Sequence, residues 1–581
     1  MTADAARAPF PAMSIEQAHK TLGQPGSMFE VDEADIRGVK TKIWKNAPPT
    51  LRDVFNLGAV FAGREHLILE DDRVTVGGLR AAAGKVAAQL IADGVKPGDR
   101  VALVMRNLPE WPAAFWGAML AGAIVTPLNA WWTGPELEFG LQDSGASILF
   151  VDIERYERLR EHLPNCPALR KIYVARSREE LADPSVARFE SLFGAPNDWN
   201  AMPAPTLPDI PIAPDDDVAI FYTSGTTGKP KGAVLTHRNI ISNFFNSASA
   251  QARAFLRRGE APPAPDPTVQ RVSLISIPFF HATGCFVVMI PNMMTGGKIV
   301  MQRRWDCEGA LKLIEKERIN FIGGVPTIAW QVLEHPDFDK YDLSSLDQVA
   351  YGGAPSAPEL VKRIKERFPN STAGQGWGMT ETSATATSNV GEDYERKPAS
   401  CGVPSATGEA KIMDADGQEL PRGEVGELWF KGPIVVRGYW NNPQATAETF
   451  IDGWVKTGDL AKMDEEGFLY IVDRAKDMLI RGGENIYCVE VENVLYEHPA
   501  IMDAALIGRP HHTLGEEPLA VVTLKPGASA TTEQIRHHVA QKLAAFKVPV
   551  DVIFWPETLP RNANGKIVKK ELKAMVEAKT Q

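Results

Sequence analysis

A chain of 581 residues, 44% of them apolar, is longer than one ordinary domain and can bury several cores. Its formal net charge of −11 argues against nucleic acid as the main partner. Five widely spaced cysteines (Cys166, Cys285, Cys307, Cys401 and Cys488) form no CxxC pair and no metal-ligand cluster. That usage suits a reduced, cytoplasmic setting and not a disulfide scaffold.

In chain order, residues 1–13 carry one basic residue and no apolar core, so no signal peptide is expected. A β-branched apolar run at 100–105 predicts a buried strand. Residues 111–135 are uncharged and long enough to span a bilayer. Pro112, Gly117, Gly122 and Pro127 interrupt them, so the expectation is a buried helix ending near Gly122, a strand at 123–125 and a loop. Further apolar runs at 146–151, 218–222, 272–277, 299–301 and 319–322 alternate with helical patterns. This predicts an α/β fold with parallel sheets covered by helices. Segments 202–214 and 258–268, the latter with four prolines, read as surface loops. From 408 to 432 short strands with glycine turns predict a small β-rich subdomain. The charged stretch 473–477 breaks the pattern. Beyond it, helices at 489–496 and 532–543 and strands at 504–507 and 519–524 make a small α+β unit. The expected organisation is therefore a large domain, 1–475, and a small domain, 476–581, with the boundary at Lys476.

The most informative segment runs Tyr222-Thr-Ser-Gly-Thr-Thr-Gly-Lys-Pro-Lys-Gly232, directly after the predicted strand 218–221. Glycines let backbone N–H groups converge, hydroxyls add donors, and Lys229 and Lys231 add charge. A phosphate chain is the natural ligand. The string is not a Walker A loop, because only Thr226 and Thr227 separate Gly225 from Gly228, and Pro230 follows Lys229. The bland alternative, a solvated Gly/Ser/Thr turn, has no need of a strand entering it and two lysines closing it.

This string resembles the phosphate loop of the adenylate-forming superfamily, which includes acyl-CoA synthetases, adenylation domains and firefly luciferase. Matching segments follow in the family's order. They are Pro278-Phe-Phe-His-Ala-Thr-Gly284, Gly374-Gln-Gly-Trp-Gly-Met-Thr-Glu381, Trp454-Val-Lys-Thr-Gly-Asp-Leu460, Asp473-Arg-Ala-Lys-Asp477, Gly482-Gly-Glu-Asn-Ile486 and Pro560-Arg-Asn-Ala-Asn-Gly-Lys566.

The resemblance implies a two-step reaction. A carboxylate attacks the α-phosphate of MgATP, giving acyl-AMP and pyrophosphate; coenzyme A then takes the acyl group and releases AMP. It assigns the nucleotide's phosphates to Thr223, Ser224, Gly225, Thr226, Thr227, Gly228 and Lys231, and Mg²⁺ to Glu381. Thr380 is assigned the α-phosphate, Gly376 and Trp377 the adenine and acyl side, and Asp459 and Arg474 the ribose or phosphate. Lys566 is expected to neutralise charge during adenylation. Rotation about Lys476 would then withdraw it and present Gly482 and Gly483 to the thiol path. His281 stands where amino-acid-activating relatives carry an anchoring Asp, so amino-acid substrates are disfavoured. His281, Gly352, Gly353, Ala354 and Gly376 are the expected acyl pocket. One departure is Cys488, where many relatives have proline.

The resulting expectation is an acid–CoA ligase using ATP, Mg²⁺ and coenzyme A, acting on a medium- or long-chain fatty acid. Aryl or arylalkenoic acids, or a carrier-protein acceptor, are the alternatives. The expected partners are small molecules, with no nucleic acid and no transmembrane segment, and a homodimer is left open.

Overall fold

The computed structural model describes residues 10–179, 183–223, 229–353, 358–563 and 565–580. Four main sheets carry the chain. The first has seven strands. At its centre are Ile124–Pro127, Arg100–Val104 and Ile148–Asp152, paired in parallel. Its edge is the antiparallel hairpin Asp217–Thr223 and Lys231–Thr236. The second has nine strands, with a parallel core of Lys298–Met301, Val272–Ile275, Phe321–Gly324, Gln348–Gly352 and Thr372–Trp377. The expected parallel α/β layers are present, but both sheets acquire antiparallel edges. Hairpin returns at the rim depend on turn chemistry, which the apolar runs do not encode.

The uncharged segment after Arg100–Val104 begins inside the helix Glu110–Leu120, whose eleven residues are all buried, with Glu110 at its start paired to Arg176. It packs between the two large sheets, with Trp111 stacked on Phe115 and Phe279. A helix apolar on every side is what a position between two sheets requires. Among the described residues, no helix is long and apolar enough to cross a membrane.

The third sheet is antiparallel and built from Glu409–Met413, Gly426–Lys431, Phe450–Ile451, Trp454–Met463 and Leu469–Arg474. The fourth contains Leu479–Arg481, Glu484–Ile486, Ile501–His511, Gly515–Leu524 and Asp551–Phe554. Between Arg474 and Leu479 lies only a short turn that holds Lys476. The fourth sheet has its own apolar cores, one against Cys488–Tyr496 and Thr532–Ala540, another against the last helix.

The long helix His237–Arg257 ties the N-terminal arm to the second sheet. Arg257 grips Asp393 through two bonds of 2.7 and 2.9 Å, and both side chains are buried. Removing Arg257 takes the two-bond partner from buried Asp393, which keeps Arg396 at 3.2 Å. Arg257→Ala should therefore destabilise the large domain, by less than the about 3–5 kcal/mol of a buried charge left with no partner, seen as a fall in its thermal midpoint; an unchanged midpoint would show the pair to be dispensable.

Candidate active site

The clearest cluster lies at one end of the second and third sheets, facing the small domain. Its floor is made of glycines. Gly352 and Gly376 are register partners on adjacent parallel strands, and a Cβ on Gly352 would lie 2.6 Å from the Gly376 carbonyl. Gly378 is tighter still: its Cβ would fall 1.5 Å from the Ala384 carbonyl. That closeness lets the chain fold into the short 3₁₀ turn Thr380–Thr382. The turn ends in left-handed residues, Ser383 at φ 52° and Ala384 at φ 84°, a conformation non-glycine residues seldom adopt. The Ser383 hydroxyl, donating to Ile434 O, and the Val436 N–H, donating to Glu381 O, clamp it in place.

The turn buries Glu381, whose Oε1 accepts the Tyr439 hydroxyl at 2.7 Å. Desolvation raises its pKa, opposed by that hydrogen bond and by the charges of Lys231 and Arg474. Lys231 holds its ammonium 5.0 Å above the Tyr439 ring. Lys229 turns away toward Phe139. Thr223 and Lys231 are register partners that close the hairpin under the phosphate-loop sequence. Ser224, Gly225, Thr226, Thr227 and Gly228 lie outside the described residues, as does Ala354.

Asp459 and Arg474 face one another across adjacent antiparallel strands, 3.4 Å apart. The other Asp459 oxygen accepts the Trp377 indole N–H at 2.8 Å. Trp377 is largely buried in the third sheet's core. Its N–H on Asp459 is a contact that the reading of Trp377 as a flat adenine face did not anticipate.

From the small domain, the turn at Gly565 and Lys566 reaches into the same cleft. A Cβ on Gly565 would lie 2.7 Å from Val325, and one on Gly353 would lie 3.8 Å from Lys566 Cε. The Lys566 ammonium is pushed down to about 8. Desolvation is the main cause, followed by Arg474; Lys476 adds to the fall, while Asp459 and Glu381 oppose it. His281 is pushed down to about 3, chiefly by burial and then by the charge of Lys566. Its Nδ1 accepts the Thr283 N–H, which leaves the proton of the neutral ring on Nε2. Asn107 steadies the loop before it, accepting from Phe279 N and donating to Ile277 O. After it comes a π-helical stretch, Thr283–Met289, a rare form concentrated at functional sites.

Lys566, His281, Gly353, Glu381, Thr380, Asp459, Arg474, Trp377 and Lys231 are thus gathered around one cleft. Gly482 and Gly483 are not. They form an exposed two-residue turn with φ of 61° and 89° between strands of the fourth sheet. Tyr439 and Asn107 went unread in the sequence. A single tyrosine or asparagine carries no local signal, and both act over long separations. Among the described residues, no group of three or more His, Cys, Asp or Glu could hold a metal ion. One buried carboxylate beside a phosphate-loop sequence suits Mg²⁺, which keeps several waters and takes substrate phosphates as ligands.

Residues 56–440 match the profile of the AMP-binding enzyme family, and residues 490–566 match the AMP-binding enzyme C-terminal domain. The chain belongs to this family. It is 35% identical to a feruloyl-CoA synthase of Amycolatopsis sp over 500 residues, covering 86% of this chain and 93% of that one. It is also 35% identical to a long-chain-fatty-acid–CoA ligase of Bacillus subtilis over 512 residues, covering 84% and 87%. The crystal structure of the anthranilate CoA ligase AuaEII with anthranoyl-AMP superposes with a TM-score of 0.80 at 27% identity, covering 91% of this chain and 98% of that one. This AMP-binding enzyme is an AMP-forming acid–CoA ligase that uses ATP, Mg²⁺ and coenzyme A.

Gly378→Ala tests the floor of the ligase's cleft. The added methyl meets backbone, which cannot swing aside, so the Thr380–Thr382 turn must move. Acid-dependent pyrophosphate release should fall by about 10²-fold or more, as when a preorganised polar group is lost, with the circular dichroism spectrum retained. Wild-type release would show that the turn tolerates displacement.

Proposed function

We propose that this ligase activates an uncharged carboxylic acid with a hydrophobic tail, in the first place a medium- or long-chain fatty acid. The observation that carries this reading is His281. It is partly exposed, kept neutral by desolvation and the nearby Lys566 charge, and held by its own loop, so the pocket wall offers no fixed negative charge for the amino group of an amino acid. At Gly353 an added Cβ would meet nothing closer than Lys566 Cε, at 3.8 Å, which leaves space on that side of the cleft. The 35% identical long-chain-fatty-acid–CoA ligase of Bacillus subtilis supports the chain-like version. An arylalkenoic acid is the second reading, supported by the equally similar feruloyl-CoA synthase and by a 4-coumarate–CoA ligase of Nicotiana tabacum at 31% identity. Five free cysteines support a reduced, cytoplasmic setting.

In the proposed first half-reaction, a substrate carboxylate oxygen bonds to the α-phosphorus and the bond to pyrophosphate breaks. Thr223 and Lys231 would hold the outgoing phosphates, together with the loop between them. Glu381 would hold Mg²⁺, which when bound neutralises phosphate charge. Asp459, oriented by the Trp377 N–H and flanked by Arg474, would accept the ribose hydroxyls. Thr380 would donate to the α-phosphate. The Lys566 ammonium would face the charge that builds on the phosphorus oxygens. In the second half-reaction the thiolate sulfur bonds to the acyl carbon and AMP leaves. Rotation about Lys476 would remove Lys566 and bring Gly482 and Gly483 to the thiol path.

Lys566→Ala should reduce acyl-AMP formation by about 10²-fold or more and largely spare thioester formation from pre-made acyl-AMP; equal damage to both would refute the assignment. The charged ammonium is the useful form and is held down to about 8. The kcat/KM for ATP in adenylation, which reports the free enzyme, should therefore decline as pH rises through about 8, and Lys566→Arg, which stays protonated, should lose that limb in whatever activity it retains.

Substrate class is tested with acids from acetate to palmitate, benzoate, cinnamates and amino acids, following AMP release. Each buried CH₂ contributes about 0.8 kcal/mol, so kcat/KM should climb with chain length until the pocket is full. A flat series with active cinnamates would select the aromatic reading. Preference for an amino acid would overturn both.

A further inference from the structure

We propose that Asp473 and the backbone N–H of Cys488 form a catch across the Lys476 turn, holding the small domain where Lys566 enters the cleft. This rests on the proposed role of Lys566 in adenylation. Asp473 belongs to the last strand of the third sheet, Leu469–Arg474. Cys488 opens the helix Cys488–Tyr496 of the small domain. That helix receives no side-chain cap from Tyr487, the residue before it. Its first N–H is met instead by Asp473 Oδ2, at 2.5 Å.

The carboxylate is almost wholly buried, at 2% exposure, and its other oxygen accepts the Arg474 N–H at 2.7 Å. Lys569, at the start of the last helix, adds positive charge nearby and is itself paired to Glu492 at 2.7 Å. A charged acceptor out of water at the positive end of a helix makes a strong hydrogen bond. The large domain thus caps a helix of the small one.

Proline has no N–H and cannot make this bond. The backbone would accept proline: Tyr487 is extended, at φ −82° and ψ 114°, as a residue before proline must be, and the first helical position is the one proline favours; the ring Cδ takes the place of the N–H and pushes Asp473 Oδ2 aside, which breaks the same contact. Cys488→Pro therefore deletes the N–H while respecting the backbone. Cys488→Ala keeps the N–H and removes only the sulfur, which now donates to Asp477 O. Asp473 and Cys488 are positioning residues here, because they act through Lys566.

The full-length chain and its C488P, C488A and K566A variants would be compared in two assays: pyrophosphate release without coenzyme A, and thioester formation from pre-made acyl-AMP. Tryptic cleavage after the exposed Arg474 and Lys476 gives a readout independent of activity. Relative to C488A, C488P should adenylate about tenfold more slowly, the effect of one charge-assisted hydrogen bond. It should form thioester at least as fast, and be cut sooner at the turn. Equal adenylation and equal cleavage in C488P and C488A, or an equal loss in both half-reactions, would overturn the catch. Should C488P fail to fold, Asp473→Asn, which keeps the shape without the charge, replaces it. Full adenylation by K566A would instead refute the Lys566 assignment, while the cleavage comparison would still decide whether the catch exists.

Discussion

The cleft depends on one electrostatic arrangement: an ammonium brought in by one domain against two carboxylates and a guanidinium fixed by the other. Asp459 and Arg474 are set opposite each other by antiparallel register, and Glu381 is buried by a strained turn. Lys566 sits on a turn of the small domain and loses hydration there. Its charge is therefore poorly compensated until something anionic occupies the space. A phosphate chain is the kind of group that would complete the arrangement.

Rigid backbone underlies that arrangement. The parallel strands Gln348–Gly352 and Thr372–Trp377 end together, and their glycines let main chain approach main chain at distances no side chain would permit. The Trp377 indole then spans from the second sheet to Asp459 on the third. One side chain thus joins two sheets and fixes a carboxylate.

Much of this was legible in the sequence. The apolar runs at 100–105, 146–151 and 218–222 are strands of the first sheet, and those at 272–277, 299–301 and 319–322 are strands of the second. Each is short, continuous and β-branched, a local signal. The cleft residues were legible because glycines, hydroxyls and charges sit in dense strings around Thr223, Glu381, Asp459 and Lys566. What escaped was long-range or isolated. Tyr439 meets Glu381 across 58 positions, and Trp377 meets Asp459 across 82. The π-helical stretch after His281 has an ordinary apolar composition, and Gly284 within it lies against the Pro278 carbonyl. No periodicity records such a contact.

The exposed Gly482–Gly483 turn has a mechanical consequence. Both residues already occupy left-handed conformations, and the Gly482 N–H donates to Leu514 O within the same small domain. The turn's shape is therefore set by its own sheet and owes nothing to the cleft. If the small domain turns about Lys476, this piece travels as finished cargo. It has no ordering entropy left to lose when it arrives, so the difference between the two orientations is decided at the hinge and the domain interface, and hardly at all in the loop itself.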